Sequence, residues 1–402
     1  MNMKKRFLLI ALLTAFMATA TYSADIRLAP YYSMEWTEGV SFPRPALTGW
    51  FFSGDLITDL GLITKIGEKH TLLPFYELHF TGPGLHRPEG SAFTDTSQDH
   101  VVFLQYQYVL NPKITLKGRG DWMVELYRSG ADEAWGTGLY DFFRWGGQAK
   151  AELGEIGPLP GLDVFAEYHY FSFPRYTDLL AELQEEESTR EVVGQDQHNV
   201  RGGAAFSKWG IDLEGSYAMQ VYTTQEIITS SGAYATDEKQ FDQTISANAR
   251  YGIGKFLRTD LDAGYTIHLS NQNYIKFDTS DILNPTTIAE SFVENYYSYT
   301  ELNVTPTLSI NFPKGRKLFV SPELKLKNYV NRPARTSSGG NWGIQWSEVG
   351  YITVGHSWPK TAVSNTTMYY TYVTARSNNH YEVYYPYNYV AHFVGFKYTY
   401  QF

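Results

Sequence analysis

The 402-residue sequence predicts an all-β fold, an antiparallel up-and-down β-barrel of about 16 strands within a range of about 14 to 18. Apolar and polar residues alternate with a period of two in one segment after another, as strands with one apolar and one wet face require. Short connections between these segments alternate with long ones. Aromatic residues make up 16% of the chain while all hydrophobic residues total only 43%, which suits strands that keep one face polar.

The first strands show the alternation clearly. The strand predicted from Asp25 to Thr37 places Leu28 and Trp36 on one face and Arg27 and Glu35 on the other. These two sets differ in parity, so they point to opposite sides of a sheet. One side of this strand therefore suits an apolar environment and the other suits water.

The next two predicted strands, Leu56 to Ile66 and Leu72 to Thr81, form a hairpin. The tight turn Gly67 to His70 joins them, and Glu77 and His79 fall on the polar face of the second strand. A long connection, Gly82 to Asp99, is rich in Gly, Pro, Ser and Asp and follows this hairpin. Glycine, proline and small polar residues favour turns and loops.

Twelve further strands are predicted in pairs across short turns, and a last strand starts at Asn388. Pro306 and Pro322 fall inside two of them at apolar positions and predict local bulges, because proline cannot donate to the ladder. The pairs are Val101 to Leu110 with Ile114 to Tyr127, Tyr140 to Leu153 with Leu162 to Phe173, Val200 to Ser207 with Ile211 to Tyr222, Phe241 to Tyr251 with Phe256 to Ser270, Tyr296 to Asn311 with Leu318 to Lys327, and Trp342 to His356 with Ala362 to Thr374.

The N-terminus has the pattern of a secretory signal peptide. Lys4, Lys5 and Arg6 precede a short apolar run that ends in small residues, so residues 1–20 are expected to be the signal, with cleavage between positions 20 and 24. Residues 21–402 are then a single β-barrel domain. Removing these three of the 33 basic residues leaves 30 against 42 acidic residues, a net charge of −12.

The remaining sequence narrows the class of protein. No run of about 18 apolar residues follows the signal, so a transmembrane helix is not expected. The chain has no Cys, which excludes a disulfide scaffold and thiol chemistry. An exported chain of this kind can cross a membrane with strands whose apolar faces meet lipid.

The last strand carries the clearest family signature. Val394, Phe396, Tyr398, Tyr400 and Phe402 share one parity, and the residues between them are polar or small. This segment resembles the terminal strand of bacterial outer-membrane β-barrels, whose final Phe is the signal for the barrel-assembly machinery. The resemblance implies an outer-membrane location, contact with lipid and lipopolysaccharide, short periplasmic turns and long extracellular loops; it leaves a homo-oligomer open.

Charged residues repeat on the parity opposite to the apolar one. A charged side chain facing lipid costs about 2–4 kcal/mol at the bilayer midplane, so this parity is expected to face a water-filled lumen. The predicted pore-lining residues are Lys117, Arg119, Asp121, Arg144, Lys150, Glu167, Asp212, Glu214, Arg250, Arg258, Asp260, Asp262 and Lys325.

Two interpretations of these charges stay open. They form either a solvated wall with cross-strand ion pairs or a transverse field between two opposed clusters. The field would set the basic residues Lys117, Arg119, Arg144 and Lys150 against the acidic residues Asp212, Glu214, Asp260 and Asp262. Because charges lining a lumen set ion preference, the acidic excess favours cations.

One long connection, Arg175 to Asp196, has helical spacing. Leu179 and Leu183 lie four apart behind a Thr-Asp cap, and Glu185, Glu186 and Glu187 follow. The segment is either a short surface helix or a loop that folds into the mouth and narrows the pore. In the second case its carboxylates would favour cations.

Enzymatic and cofactor sites find little support. Glu77 with His79 and Glu167 with His169 could form half of a metal or acid–base site, but polar pairs two apart are automatic on a wet strand face. No nucleotide-binding glycine motif is present, and the acidic balance argues against nucleic acid. We therefore expect no catalytic or metal-binding residues, no cofactor and no enzymatic activity.

The function predicted from these features is an outer-membrane channel, similar to porins, for passive diffusion of small hydrophilic solutes. The alternative is a closed or narrow barrel with a role in adhesion, envelope structure or surface enzymology.

Overall fold

A computed structural model describes residues 25–44, 51–82, 95–129, 133–155, 161–176, 194–277, 289–338, 340–381 and 387–402. The predicted signal peptide lies outside these residues. The strands in the described part are β1 Ile26–Arg44, β2 Phe51–Ile66, β3 His70–Gly82, β4 Thr96–Asn111, β5 Ile114–Arg128, β6 Phe142–Leu153, β7 Gly161–Ser172, β8 Gln197–Lys208, β9 Ile211–Ile228, β10 Tyr234–Ile253, β11 Leu257–Ser270, β12 Tyr274–Phe277, β13 Ala289–Val293, β14 Tyr299–Asn311, β15 Lys317–Arg335, β16 Asn341–Thr361, β17 Ser364–Ser377 and β18 Tyr389–Gln401.

All of these strands except β12 and β13 form one closed antiparallel barrel in up-and-down order, with 16 strands. The last strand, β18, pairs with the first and closes the wall, for example through Gly39 opposite Gly395. The predicted fold class and each of the predicted barrel strands are confirmed. Closure leaves no unpaired sheet edge, so every strand has a neighbour on both sides.

The hairpin β12–β13 was not predicted. It forms a separate two-stranded sheet inside the connection between β11 and β14. Its strands are four and five residues long, which is too short for a period of two to stand out in the sequence. Among the described residues, no helix has the length and apolarity to cross a bilayer.

The two ends of the barrel differ. At one end, the turn rim, most connections are tight, such as those between Ile66 and His70, between Asn111 and Ile114, and between Lys208 and Ile211. The opposite end, the loop rim, carries the longer connections, including the one that holds β12–β13. The chain therefore has the predicted alternation of short and long connections, with β9–β10 and β15–β16 continuing as long hairpins at the loop rim.

The predicted bulges at the two prolines are wrong. Val304 opposite Leu324 and Leu308 opposite Val320 keep the same register on both sides of the gap. In this register Pro306 faces Pro322, and the ladder between β14 and β15 has no pairs at these prolines and the residues beside them. Both rings lack an N–H, so the ladder is interrupted without an inserted residue.

The two faces of the wall differ in chemistry. A cavity of about 660 Å³ is lined by residues of β6 to β11 and β14, and the charged residues that line it from these strands share one parity, among them Glu152, Asp163, Glu214, Arg250, Asp262 and Glu301. Strands this far apart around a barrel can share a cavity only on its concave side, so this parity faces inward. The other parity exposes large apolar side chains, among them Leu28, Val102, Leu104, Trp122, Trp145, Val164, Ile245, Ile352 and Val394.

Aromatic rings also enter the lumen. Tyr31, Phe75 and Phe103 form an inward row across β1, β3 and β4, with ring centroids 5.2 and 5.1 Å apart. Gly61 sits between the first two, and a Cβ there would lie 2.7 Å from Phe75 ring atoms. The guanidinium of Arg119 ends the row 3.8 Å from the Phe103 centroid. The missing side chain at Gly61 is thus what allows the rings to meet.

Candidate functional site

The inner wall of the barrel carries the candidate site. Residues that pair directly across strands share a face, and the registers link Lys117 to Lys150 and Ser216, Ser246, Thr266, Glu301 and Lys327 to one another around the lumen. Each predicted pore-lining residue lies on this inward parity: Lys117, Arg119 and Asp121 on β5, Arg144 and Lys150 on β6, Glu167 on β7, Asp212 and Glu214 on β9, Arg250 on β10, Arg258, Asp260 and Asp262 on β11, and Lys325 on β15.

A charge ladder crosses β5, β6 and β7. Lys117 Nζ lies 2.6 Å from Glu152 Oε1, and Lys150 Nζ lies 3.1 Å from the same oxygen and 2.8 Å from Asp163 Oδ2. Cations and carboxylates thus alternate along the wall, and each carboxylate neutralises the lysines beside it. Such part-buried pairs limit the net field that this side of the lumen can project.

Asp121 is a charge of the inner wall whose side chain is only 3% exposed. Its Oδ1 accepts a hydrogen bond from Arg144 at 3.0 Å, and its Oδ2 lies 3.1 Å from His169 Nε2 and 3.6 Å from Arg119 Nε. One carboxylate therefore holds three side chains from β5, β6 and β7. The Gly147 position on β6 stays open for the nearby backbone of Arg119, because a Cβ there would lie 2.4 Å from the Arg119 carbonyl oxygen.

The acidic side of the predicted field is paired as well. Glu214 lies 2.9 Å from Arg201, Asp262 lies 2.5 Å from Arg250, and Asp260 lies 2.7 Å from Arg258. Asp212 accepts a hydrogen bond from the Ser207 hydroxyl, and Lys325 pairs with Glu323 at 3.0 Å. These pairs favour the solvated wall over two opposed clusters, because the opposite charges lie on the same or neighbouring strands.

The candidate metal and acid–base pairs do not come together. His79 Nε2 lies 2.9 Å from Asp55 and its Nδ1 lies 3.5 Å from Asp99, so its partners are not the Glu77 two residues earlier. His169 likewise pairs with Asp121, and Glu167 accepts from Gln148. Within the described ranges, no group of three His, Asp or Glu side chains is placed to hold a metal ion. The constriction-loop candidates Leu179, Leu183, Glu185, Glu186 and Glu187 lie outside the described residues.

A cluster of tyrosines and arginines lies at the loop rim and was not predicted. This mouth cluster consists of Tyr274, Tyr296, Tyr329, Arg332 and Arg335. Tyr274 and Tyr296 stack with centroids 4.4 Å apart, and the Arg332 guanidinium lies 4.9 Å from both the Tyr296 and Tyr329 rings. Arg335 lies 5.7 Å from the Tyr274 ring. Burial raises the pKa of the Tyr296 phenol to about 12, so this hydroxyl stays protonated at neutral pH.

The residues of the predicted assembly signal lie on the outward face of β18. Phe396 packs edge-on against Trp36 at 6.1 Å, and Tyr400 contacts Tyr32 at 5.8 Å. The backbone of Phe402 exchanges two hydrogen bonds with Tyr32, of 3.1 and 2.8 Å. Val394 and Tyr398 have the same outward parity, opposite Val40 and Trp36. The five residues therefore border the strand pair that closes the barrel.

Outward tyrosine–histidine pairs recur at the loop-rim half of three hairpins, and sequence reasoning missed them. In each, a tyrosine hydroxyl lies 2.7–2.8 Å from a histidine Nδ1 on the next strand. The missed signal is a His-x-Val triplet on the second strand of each hairpin, in which the Val is the register partner of the tyrosine. The pairs are Tyr76 with His100, Tyr168 with His198 and Tyr370 with His392.

No protein-family model matches this chain, and no curated protein matches it. Among solved structures, Salmonella typhi OmpF in complex with daunomycin has 14% identity and a TM-score of 0.48, with 93% of this chain and 97% of that chain covered. The trimer form of OmpT from Vibrio cholerae has 9% identity and a TM-score of 0.44, covering 94% and 99%. A bacterial polysaccharide outer membrane secretin has 9% identity and a TM-score of 0.46, covering 93% and 98%.

The architecture itself rests on the strand order and the two faces of the wall. Sixteen antiparallel strands close on themselves, one parity carries the paired charges, and the other exposes large apolar side chains. This is the architecture of a porin-like outer-membrane β-barrel.

Proposed function

We propose that this protein is a channel of the bacterial outer membrane through which small hydrophilic solutes diffuse passively. The observation that carries the proposal is the set of ion-paired charged side chains on the inside of a closed barrel of 16 strands. Barrels of this strand number leave an aqueous channel, whereas about eight strands leave an interior filled by side chains. Passive diffusion needs no cofactor and no catalytic group.

The orientation follows from the two rims. In outer-membrane barrels the short turns face the periplasm and the long loops face outward, so the turn rim is periplasmic in this proposal. The large apolar side chains outside the wall then contact lipid, and lipopolysaccharide surrounds the outer part of the barrel. The aromatic parity of β18 serves as the signal that the barrel-assembly machinery reads.

Planar-bilayer recording tests the channel directly. The purified, heat-modifiable barrel is expected to give stepwise, ohmic conductance increments in KCl, because an open lumen passes hydrated ions. A heat-denatured sample of the same preparation is the control and should give none. A folded barrel that inserts but stays silent would contradict the channel and support a closed barrel with an adhesive, structural or enzymatic role.

Removal of Phe402 tests the role of the terminal strand. We expect most of the polypeptide to be lost from the outer membrane of producing cells, while the same polypeptide still folds in detergent after purification from the denatured state. Fractionation and heat-modifiability on gels measure the two outcomes. Gln401→Ala is the matched control, because Gln401 pairs with Ser33 on the inward parity. Equal outer-membrane yields for wild type and truncation would remove Phe402 from the assembly signal.

A further inference from the structure

Two arginines at the loop-rim end of β15, Arg332 and Arg335, differ from other cations of the inner wall in having no carboxylate partner among the described residues. Lys117, Lys150, Arg144, Arg201, Arg250 and Arg258 each lie within 3.1 Å of a carboxylate oxygen. Arg332 and Arg335 have no ion pair within the part of the chain that the structure describes. Among the described residues no carboxylate neutralises their charge, in contrast to the wall below them.

Tyrosines hold the two guanidinium groups in place. Arg332 lies over the rings of Tyr296 and Tyr329, and it donates to the Tyr387 hydroxyl at 3.4 Å. Arg335 donates to the Tyr274 hydroxyl at 3.3 Å. The contacts to ring faces leave the in-plane N–H groups of a guanidinium available, and the buried Nε of Arg332 has no hydrogen-bond partner.

A small cavity of the inner wall begins beside Arg332. Its volume is about 290 Å³, close to the lower limit of about 300 Å³ for ligand pockets. Tyr329 and Tyr387, both of which contact Arg332, line it together with Gln345, Ser347 and Lys327. Lys327 pairs with Glu301 at 2.9 Å, so this part of the wall offers neutralised polar groups below the uncompensated arginine.

We propose that the mouth cluster and this cavity form a recognition site for monosaccharide-sized sugar acids, that is, hydroxylated rings that carry one carboxylate. Arg332 binds the carboxylate through its in-plane N–H groups, and Arg335 adds positive charge at the mouth. The ring lies in the cavity, which Tyr329 and Tyr387 line. The proposal gives a substrate class to the proposed channel and depends on that function only for transport, not for binding.

The chemistry of the site separates this ligand class from its neighbours. A guanidinium matches a carboxylate in geometry and charge, and such charge-assisted hydrogen bonds are about twice as strong as neutral ones. The hydroxyl of Ser347 can both donate to and accept from the hydroxyl groups of a sugar. The loop-rim end of the lumen thus favours anions, in contrast to the preference for cations that the overall acidic charge predicts.

Calorimetric titration of the folded barrel in uncharged detergent tests the proposal with D-galacturonate, D-galactose and acetate. Wild-type protein is expected to bind galacturonate saturably, with an affinity on the order of tenfold or more above that for galactose or acetate. Galactose lacks the carboxylate, and acetate lacks the hydroxylated ring. Equal affinity for galactose would overturn the role of the arginines. Equal affinity for acetate would overturn the assignment to a sugar.

Variants locate the site. Arg332→Gln is expected to lower galacturonate affinity on the order of tenfold while circular dichroism and heat-modifiability stay unchanged. The matched control Arg258→Gln removes an arginine paired with Asp260 near the turn rim and should leave the affinity unchanged. Equal losses in both variants would overturn the site. If Arg332→Gln does not fold, the affinities of the three ligands for wild-type protein still test whether the barrel recognises sugar acids.

The same titration keeps the two proposals apart. Ohmic channels without galacturonate binding would contradict the recognition site and leave the channel standing. Binding without conductance would contradict the channel and leave the site standing.

Discussion

Val354→Arg is expected to lower the free energy of unfolding of the barrel by about 2–4 kcal/mol in lipid vesicles, whereas Thr353→Arg on the same strand should lower it by less than about 1.5 kcal/mol. Val354 points outward from β16, with 44% of its surface exposed, and its register partners are Val320 and Tyr370. It lies between Trp346 and Trp358 of the same strand and parity, whose rings suit the two membrane interfaces. At that height an outward side chain meets the hydrocarbon core, where a guanidinium loses its hydration without a partner.

Thr353 is the matched control because it lies one residue away on the inward parity. It pairs with Ser321 and Thr371, and its hydroxyl lies 2.9 Å from that of Thr371. An arginine there loses one hydroxyl–hydroxyl contact but keeps its head group in water. Equilibrium unfolding in urea, followed by tryptophan fluorescence, measures both differences. Similar values for the two variants would contradict the assignment of one parity to lipid and the other to an aqueous interior.

The alternation of side chains made the strands and their faces predictable, because parity is a local property of an extended chain. Lys117 and Lys150 could be assigned to the polar face without knowing which strands pair or in what register. Their ion pairs depend on register, which turn geometry and the match of apolar faces set jointly. The register disfavours the opposed clusters of the transverse field, since Glu152 on β6 and Asp121 on β5 pair with basic residues of these same two strands.

Features that join distant segments were out of reach for sequence reasoning. Tyr274 and Arg335 meet although the hairpin that carries Tyr274 is short and lies in a long connection. A tyrosine in a strand of only four residues has no periodicity that would single it out. The outward Tyr–His pairs are different. Their His-x-Val triplets stand in the sequence at His100, His198 and His392, so a search for repeated short patterns could have found them.

Loss of the Asp121 charge is expected to destabilise the barrel and to shift its ion preference toward anions. In Asp121→Asn the shape of the side chain is kept, but Arg144 and Arg119 lose their shared counter-charge. Hydrogen bonds to charged groups contribute about 1.5–3 kcal/mol, and both arginines remain partly exposed, so we expect a loss of about 1–3 kcal/mol in the free energy of unfolding. The Nε atoms of these two arginines already lack partners, which leaves them few alternatives.

Asp260→Asn is the matched control, because it also removes one negative charge from the lumen. It separates the effect of lost contacts on stability from the effect of lumen charge on ion preference. Asp260 pairs with Arg258, whose side chain is 48% exposed, and exposed pairs contribute about 0–1 kcal/mol. Both variants should move the zero-current potential in a KCl gradient toward anion preference, because each makes the lumen more positive by one charge. Only Asp121→Asn should also lower the urea midpoint strongly, and this loss should persist at high salt, where screening removes the contribution of exposed pairs. Equal stability of the two variants would mean that Asp121 is one solvated charge among many and does not hold β5, β6 and β7 together.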